Sequence, residues 1–343
     1  TIDAGETYQF TGALTGTGTI KLEQAETSSQ GHLGDFFSAG ALTSFQGTVW
    51  LAKGRFRHGA ALESQVKVKV TDGAQLYMAG GTWQNKISLS GNGYGAETDN
   101  IGRSALRFEG DVSFDATEAQ ITIEDAVASI CVNNSQKTIA CKIVAANGAR
   151  FYTRYGVDSI TLTGDLTEVS AITKLGDQGG ALVVPATYAG PISLQAGTVN
   201  STVSTLNVTT TADGKTVKCA ENAGEPVTYT YSLVNAVSLT IPAVANTTVT
   251  VSVDGVATTV VDNAVKAPIG STVVVTWTPA AGYCPTTIEP VTIDAVAADS
   301  EVSTPSVTLK KLVPLHKDQG ASTMTVTSEG NVVTVDEKEY VLA

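Results

Sequence analysis

The residues best suited to chemistry in this chain of 343 are carboxylates, a short basic run and a few aromatics. Glu97 and Asp99 in "AETDN", then Glu118, Glu124, Asp125, Asp158 and Asp165, are the acids that a β scaffold could gather into one groove. Gathered so, they would work as a general acid and base pair on a polysaccharide, or as calcium ligands. Their spacing equally fits solvated turn positions. "KGRFRHG" at 53–59 places Lys53, Arg55 and Arg57 on one face of a strand with Phe56 opposite, and Lys67 and Lys69 belong to a strand nearby. Such a stripe suits bidentate contacts to an anionic glycan, and it also fits an ordinary solvated strand face in an acidic protein. Trp50 and Trp83 fall outward or at turns by alternation, where they would stack on sugar rings, fill an interface, or equally cap a sheet edge or pack a loop.

Several chemistries find no motif. His58 beside Arg57 has no serine or cysteine partner in a nucleophile elbow, and no phosphate-binding loop is present. Three histidines, His32, His58 and His316, complete no zinc spacing with the four cysteines, none of which lies in a CxxC pair. No metal or cofactor is implied. Two disulfides, Cys131 with Cys141 and Cys219 with Cys284, would respect the domain division below; free buried cysteines would serve equally as small apolar side chains. A net charge of −12 argues against a nucleic-acid partner, which needs gathered Lys and Arg. The apolar runs, "STVVVTW" among them, are too short to span a bilayer. An acidic, Thr-rich exterior suits a protein outside the cell. The opening on Thr1, with no leader before it, is expected of a chain whose signal peptide is gone or of a piece of a longer precursor.

The elements that must position these residues are strands. "GTIKLEQ" (18–24), "GTVWLAKG" (47–54), "NKISLSGNG" (85–93), "DVSFDATE" (111–118), "DSITLTGD" (158–165) and "GPISLQAG" (190–197) repeat one phrase, apolar, spacer, apolar, then a turn residue. Alternation buries one face of each strand, and Gly, Asn and Asp supply the corners. A strand of about five residues cannot bury its apolar face alone, so stacking equivalent strands in parallel is the favoured solution. The rival is a sandwich of antiparallel hairpins, which asks for many tight turns; Asn-Gly occurs only twice in the first two hundred residues, at Asn92-Gly93 and Asn147-Gly148. The reading is all-β: a parallel β-helix (solenoid) over 1–199, a linker or connecting strand at 200–221, an Ig-like β-sandwich over 222–312 and a terminal strand pair at 313–343 around Glu329-Gly330-Asn331. Asp254-Gly255 reads as a hairpin turn inside the sandwich.

Over about residues 10–199, "LTGTGTIKLE", "FQGTVWLAKGRFRHGA", "AQITIEDAVASI" and "GGALVVPATYAGPISLQAGTV" resemble the autotransporter-associated β-strand repeats of secreted bacterial passenger domains. That resemblance implies a β-helical fold exported to the bacterial surface. "APIGSTVVVTWTPAAGYCP" at 267–285 also resembles spacer repeats of bacterial surface proteins. The expected function is therefore an exported structural or adhesive protein, secreted or on the cell surface, whose partners are other copies of itself or a surface glycan. "TIDAGETYQF" starts directly on a strand with no capping helix, which invites strand addition into a filament or layer. The alternative is a polysaccharide-degrading lyase or hydrolase on the same scaffold, although the Asp, Asn, His and Arg motifs of pectin-degrading β-helices do not appear in order.

Overall fold

The computed structural model describes residues 9–24, 35–94, 104–176, 179–284, 287–314, 332–335 and 338–342. The expected acids Glu97 and Asp99, and His32 and His316, lie outside them, as do residues 1–8 of the expected open strand edge. Every regular element among the described residues is a strand. The chain divides into two compact units, one holding residues 1–212 and 217–233, the other 213–216 and 234–343.

In the first unit the strand pairing is parallel up to its last strands. The first sheet runs through Thr19–Glu23, the start of Thr48–His58, Lys67–Val70, Lys86–Leu89, Gln120–Ile123, Lys142–Ala145 and Glu168–Val169. The second runs from the end of Thr48–His58 through Ala74–Trp83, Leu106–Phe114, Ser129–Val132, Ala149–Thr153, Ile172–Gly176 and Ile192–Leu194 to Val208–Thr209. A third takes in Gln136–Ile139, Ser159–Leu162, Ala181–Val183 and Thr198–Ser201. The chain visits the sheets in turn, for example Lys142–Ala145, then Ala149–Thr153, then Ser159–Leu162, and back to Glu168–Val169. Asn147-Gly148 thus turns a corner between two sheets and closes no hairpin.

Register explains why the repeated phrase is aliphatic. Leu22, Leu51, Val70 and Leu89 pair in succession, and so do Val49, Val68, Ile87 and Ile121, all of them buried in one cluster. Full burial stabilises each such side chain by roughly 1.5–3 kcal/mol. No strand here could gain that alone, without a parallel neighbour.

Glycine is required where a strand passes from one sheet to the next. At Gly54 the chain bends with φ 104°, and a Cβ there would stand 2.2 Å from Gln24 Oε1. That same oxygen accepts the Arg55 amide at 2.8 Å, so the corner is closed by a buried glutamine. At Gly110, φ is 63° and a Cβ would stand 2.2 Å from the Ala79 carbonyl oxygen.

Parallel pairing runs past the expected limit at 199, because Val208–Thr209 pairs with Ile192 and Ser193 inside the segment expected to link the domains. The third sheet ends differently. Thr198–Ser201 meets Tyr229–Ser232 of the strand Thr228–Thr240 in antiparallel register, and Lys215–Asn222 follows beyond it. Tyr231 seats its ring in the core, donates to Val203 O at 3.1 Å and accepts the Leu206 amide at 3.1 Å.

The second unit is antiparallel throughout its described pairings. Thr247–Val253 lies between Val256–Thr258 and Val273–Pro279, with Val291–Ile293 beyond, and Ala264–Pro268 pairs with the end of Thr228–Thr240. Asp254-Gly255 forms the expected hairpin turn, both residues at positive φ. Leu239, Val251, Val265, Val275 and Trp277 share one core. Lys338–Leu342 pairs with both Val332–Val335 and Lys310–Pro314; Glu329-Gly330-Asn331 lies outside the described residues.

Candidate functional site

Alternation that sends Ile20, Val49 and Val68 inward sends Lys21, Trp50 and Lys69 outward, and the same register sets these three side by side on consecutive strands. Lys21 Nζ stands 4.8 Å from the Trp50 ring centroid and Lys69 Nζ 5.3 Å from it. Both distances lie within the range of cation–π attraction. Trp50 is itself fixed, donating Nε1–H to Thr71 Oγ1 at 2.9 Å. Lys67 and Lys86 precede the paired Val68 and Ile87 by one residue each, so they occupy the adjoining outward lane. Both are exposed, as are Lys21 and Lys69. Glu23 is the acid in this group; Lys21 bonds it at 2.6 Å and holds its carboxyl below the ordinary value. Lys53 is exposed beside the Gly54 corner.

The second sheet repeats the arrangement with different residues. Arg57 and Arg107 flank the Tyr77 ring, at 5.5 and 4.6 Å from its centroid. The Tyr77 hydroxyl donates to Glu109, which also accepts from Arg107 and, at 2.9 Å, from Asn133. Burial pushes the Glu109 carboxyl up, but these hydrogen bonds outweigh it and hold the group below its ordinary value. Arg55 is only 5% exposed: its Nε donates to Gln75 Oε1 at 3.0 Å, and its guanidinium lies 5.3 Å from the ring of Tyr94. The expected stripe is therefore split. Arg55 and Arg57 belong to the second sheet, whereas Lys67 and Lys69 belong to the first, Lys69 beside Trp50 and Lys67 beside Thr48. Further along the second sheet a groove of about 390 Å³ opens, lined by Asn92, Ser129, Arg150, Tyr152 and Gln195 among others.

Trp83 does not face outward. It is fully buried, donates Nε1–H to Gly80 O at 3.0 Å and packs against the edge of His58. The strand Ala74–Trp83 bends at Gly80 and Gly81, which restarts the alternation. His58 is buried with it; Nδ1 bonds Ala60 O at 2.8 Å, and burial lowers the imidazole below its ordinary value.

All four cysteines are free. Cys141 sits in the main core, but Cys131 lies in a satellite cluster with Tyr152 on the outward side of the second sheet, so the sheet separates the two thiols. Burial raises them to about 12 and about 11 respectively. Cys219 is exposed and Cys284 half-buried, in different units.

The described acids serve turns. Asp158 is 1% exposed and accepts the amides of Ser135, Arg154 and Tyr155. Asp125 accepts those of Gly91, Val127 and Ala128, and Asp165 that of Thr167. Glu118 and Glu124 are exposed. None of these acids lines the groove. Among the described residues no group of three or more His, Cys, Asp or Glu is placed to hold a metal ion, and no helix is long and apolar enough to cross a membrane.

The sequence reading singled out neither the Arg107–Glu109 pair, nor Lys86, nor Lys174. Lys174 pairs with Phe151 on one side and Leu194 on the other and is fully buried. Its Nζ donates to Thr153 Oγ1 at 2.7 Å, Leu175 O at 2.7 Å and Ala196 O at 3.3 Å. Burial lowers it from 10.5 to about 7, against the opposing charge of Asp158. The signal was present: Ile172 faces inward, so Lys174, two residues on, must as well.

Comparison with known proteins returns no matching family model, no matching curated sequence and no matching solved structure.

Proposed function

We propose that the first unit is a parallel β-helix and that the chain is an exported structural or adhesive protein of the bacterial surface, akin to autotransporter passenger repeats. The second unit, read as an Ig-like sandwich, would act as a spacer. The observation that carries this reading is register. Strand after strand in the first unit pairs in parallel, Ile20 with Val49, Val49 with Val68, Val68 with Ile87 and Ile87 with Ile121, at offsets of 29, 19, 19 and 34 residues, in or near the period range of a solenoid. Such a scaffold holds outward side chains in fixed lanes, and its function is to present them to a repetitive partner. A polysaccharide-degrading enzyme would instead need two carboxylates converging in a groove. Of the acids expected for that role, Asp125, Asp158 and Asp165 accept backbone amides, Glu118 and Glu124 are exposed, and none lines the groove.

Electron microscopy of the purified full chain, paired with glycan-array binding, tests the role. Elongated particles that associate end to end, or retention on one class of glycan, are the expected results. Rounded monomers at every concentration that bind no glycan would overturn it.

A further inference from the structure

The Lys21–Trp50–Lys69 column differs from an ordinary solvated strand face in two respects. Its cations are positioned: Trp50 is anchored through Thr71, the Lys21 and Lys69 ammonium groups stand 4.8 and 5.3 Å from its ring centroid, and Glu23 is the acid within reach of Lys21. They are also concentrated, because Lys67 and Lys86 adjoin them in a chain whose net charge is −12. Holding cations close on consecutive strands costs free energy through their mutual repulsion, and a bound anion removes that cost.

We propose that this outward face of the first sheet binds a linear anionic polysaccharide, with carboxylate or sulfate groups of successive sugars meeting Lys21, Lys67, Lys69 and Lys86. The proposal rests on the adhesive role above and names its ligand class.

The geometry favours a narrow polymer lying across the strands. Neighbouring parallel strands are roughly 4.8 Å apart, so Lys67 and Lys86 sit one strand step apart and Lys21 and Lys69 two steps apart. A polyanion laid in that direction meets a cation at nearly every step. Between the lysines the outward positions carry hydroxyls, Thr48 and Ser88, which pair with sugar hydroxyls. A DNA duplex or an anionic bilayer would demand cations spread across a wide surface, and the remaining acidic exterior repels both.

Trp50 supplies the readout, since Trp83 and Trp277, the other two tryptophans, are buried. The full chain is titrated with polygalacturonate, dextran sulfate and neutral dextran while tryptophan emission is followed. The combined variant Lys67→Ser, Lys69→Ser and Lys86→Ser removes three exposed charges without touching the core. Lys218→Ser, Lys266→Ser and Lys310→Ser together are the matched control, also exposed. The expected result is saturable binding of an anionic polymer that weakens at least tenfold in the first variant and in high salt, and is unchanged in the control. Response to polygalacturonate alone assigns carboxylate as the recognised group, and response to dextran sulfate alone assigns sulfate. Binding to neither, equal binding to neutral dextran, equal loss in the control, or equally tight binding to duplex DNA or anionic vesicles would overturn the proposal. Particles that fail to elongate would undo the proposed scaffold role while leaving this titration free to succeed.

Discussion

Replacing Lys174 by methionine gives the sharpest test of the in-register core. The column Phe56, Leu76, Leu106, Ile130 and Phe151 leads to Lys174 and then to Leu194, so an amine occupies a place where every other member is apolar. Burial lowers this amine from 10.5 to about 7. The folded state therefore binds the proton more weakly than the unfolded state. The sign follows: below pH 7 both states carry the proton and the folded state bears the full cost, whereas above pH 10.5 neither does and the cost is gone. The full span corresponds to about 5 kcal/mol, and the rise between pH 7 and about pH 8.5 to between about 1 and 2 kcal/mol. The lower window is the useful one. Cys131 and Cys141, raised by burial to about 11 and about 12, oppose the rise from pH 9 upward but remove only a few tenths of a kcal/mol at pH 8.5.

Urea unfolding of the first unit, followed through buried Trp83 in a Trp277→Phe background, measures the effect. Wild-type protein should gain about 1 to 2 kcal/mol between pH 7 and pH 8.5, and Lys174→Met should not. The variant leaves Leu175 O and Ala196 O without their lysine donor, at about 1 kcal/mol each, so its absolute stability is a weaker guide than its slope. A variant that rises with pH as steeply as the parent would refute the account of a buried, proton-linked amine.

Two further outcomes follow from packing. Gly110→Ala places a Cβ 2.2 Å from the Ala79 carbonyl oxygen at φ 63°, and should cost about 3 kcal/mol or more in urea unfolding, while Gly12→Ala, with nothing within 4 Å, should be near neutral. A thiol reagent applied to native protein should modify exposed Cys219 within minutes and leave Cys131 and Cys141 untouched until urea opens the first unit, as mass measurement of peptides would show.

The strands of the first unit were legible because their signal is local. Ile20 with Leu22, Val49 with Leu51, Val68 with Val70 and Ile87 with Leu89 each declare a buried face by alternation alone, and the structure pairs those couples with one another. Asp254-Gly255 was legible for the same reason, since a tight turn is set by two residues. What could not be read was anything decided by a segment distant in sequence. Arg55 counts as outward on its strand, yet Tyr94 lies over its guanidinium. Trp83 was misplaced because alternation was counted through Gly80 and Gly81, where the strand turns a corner. Cys131 and Cys141, ten positions apart in sequence, looked like partners, but a sheet stands between them.

Register also explains how binding chemistry and folding are kept apart in this architecture. The inward lane Ile20, Val49, Val68, Ile87, Ile121 and Ile143 is aliphatic at every step, because each member packs on the two beside it. The outward lane one residue away reads Lys21, Trp50, Lys69, Ser88, Thr122 and Val144, and changes character midway. A substitution in the outward lane meets only its two neighbours and solvent, so its effect on stability is small. The basic face can thus end at Lys86 while the core beneath it continues unchanged to Val169. Lys174 is the inverse case, a charged group placed in an inward lane. The three oxygens around its amine are what allow the column to continue through it to Leu194.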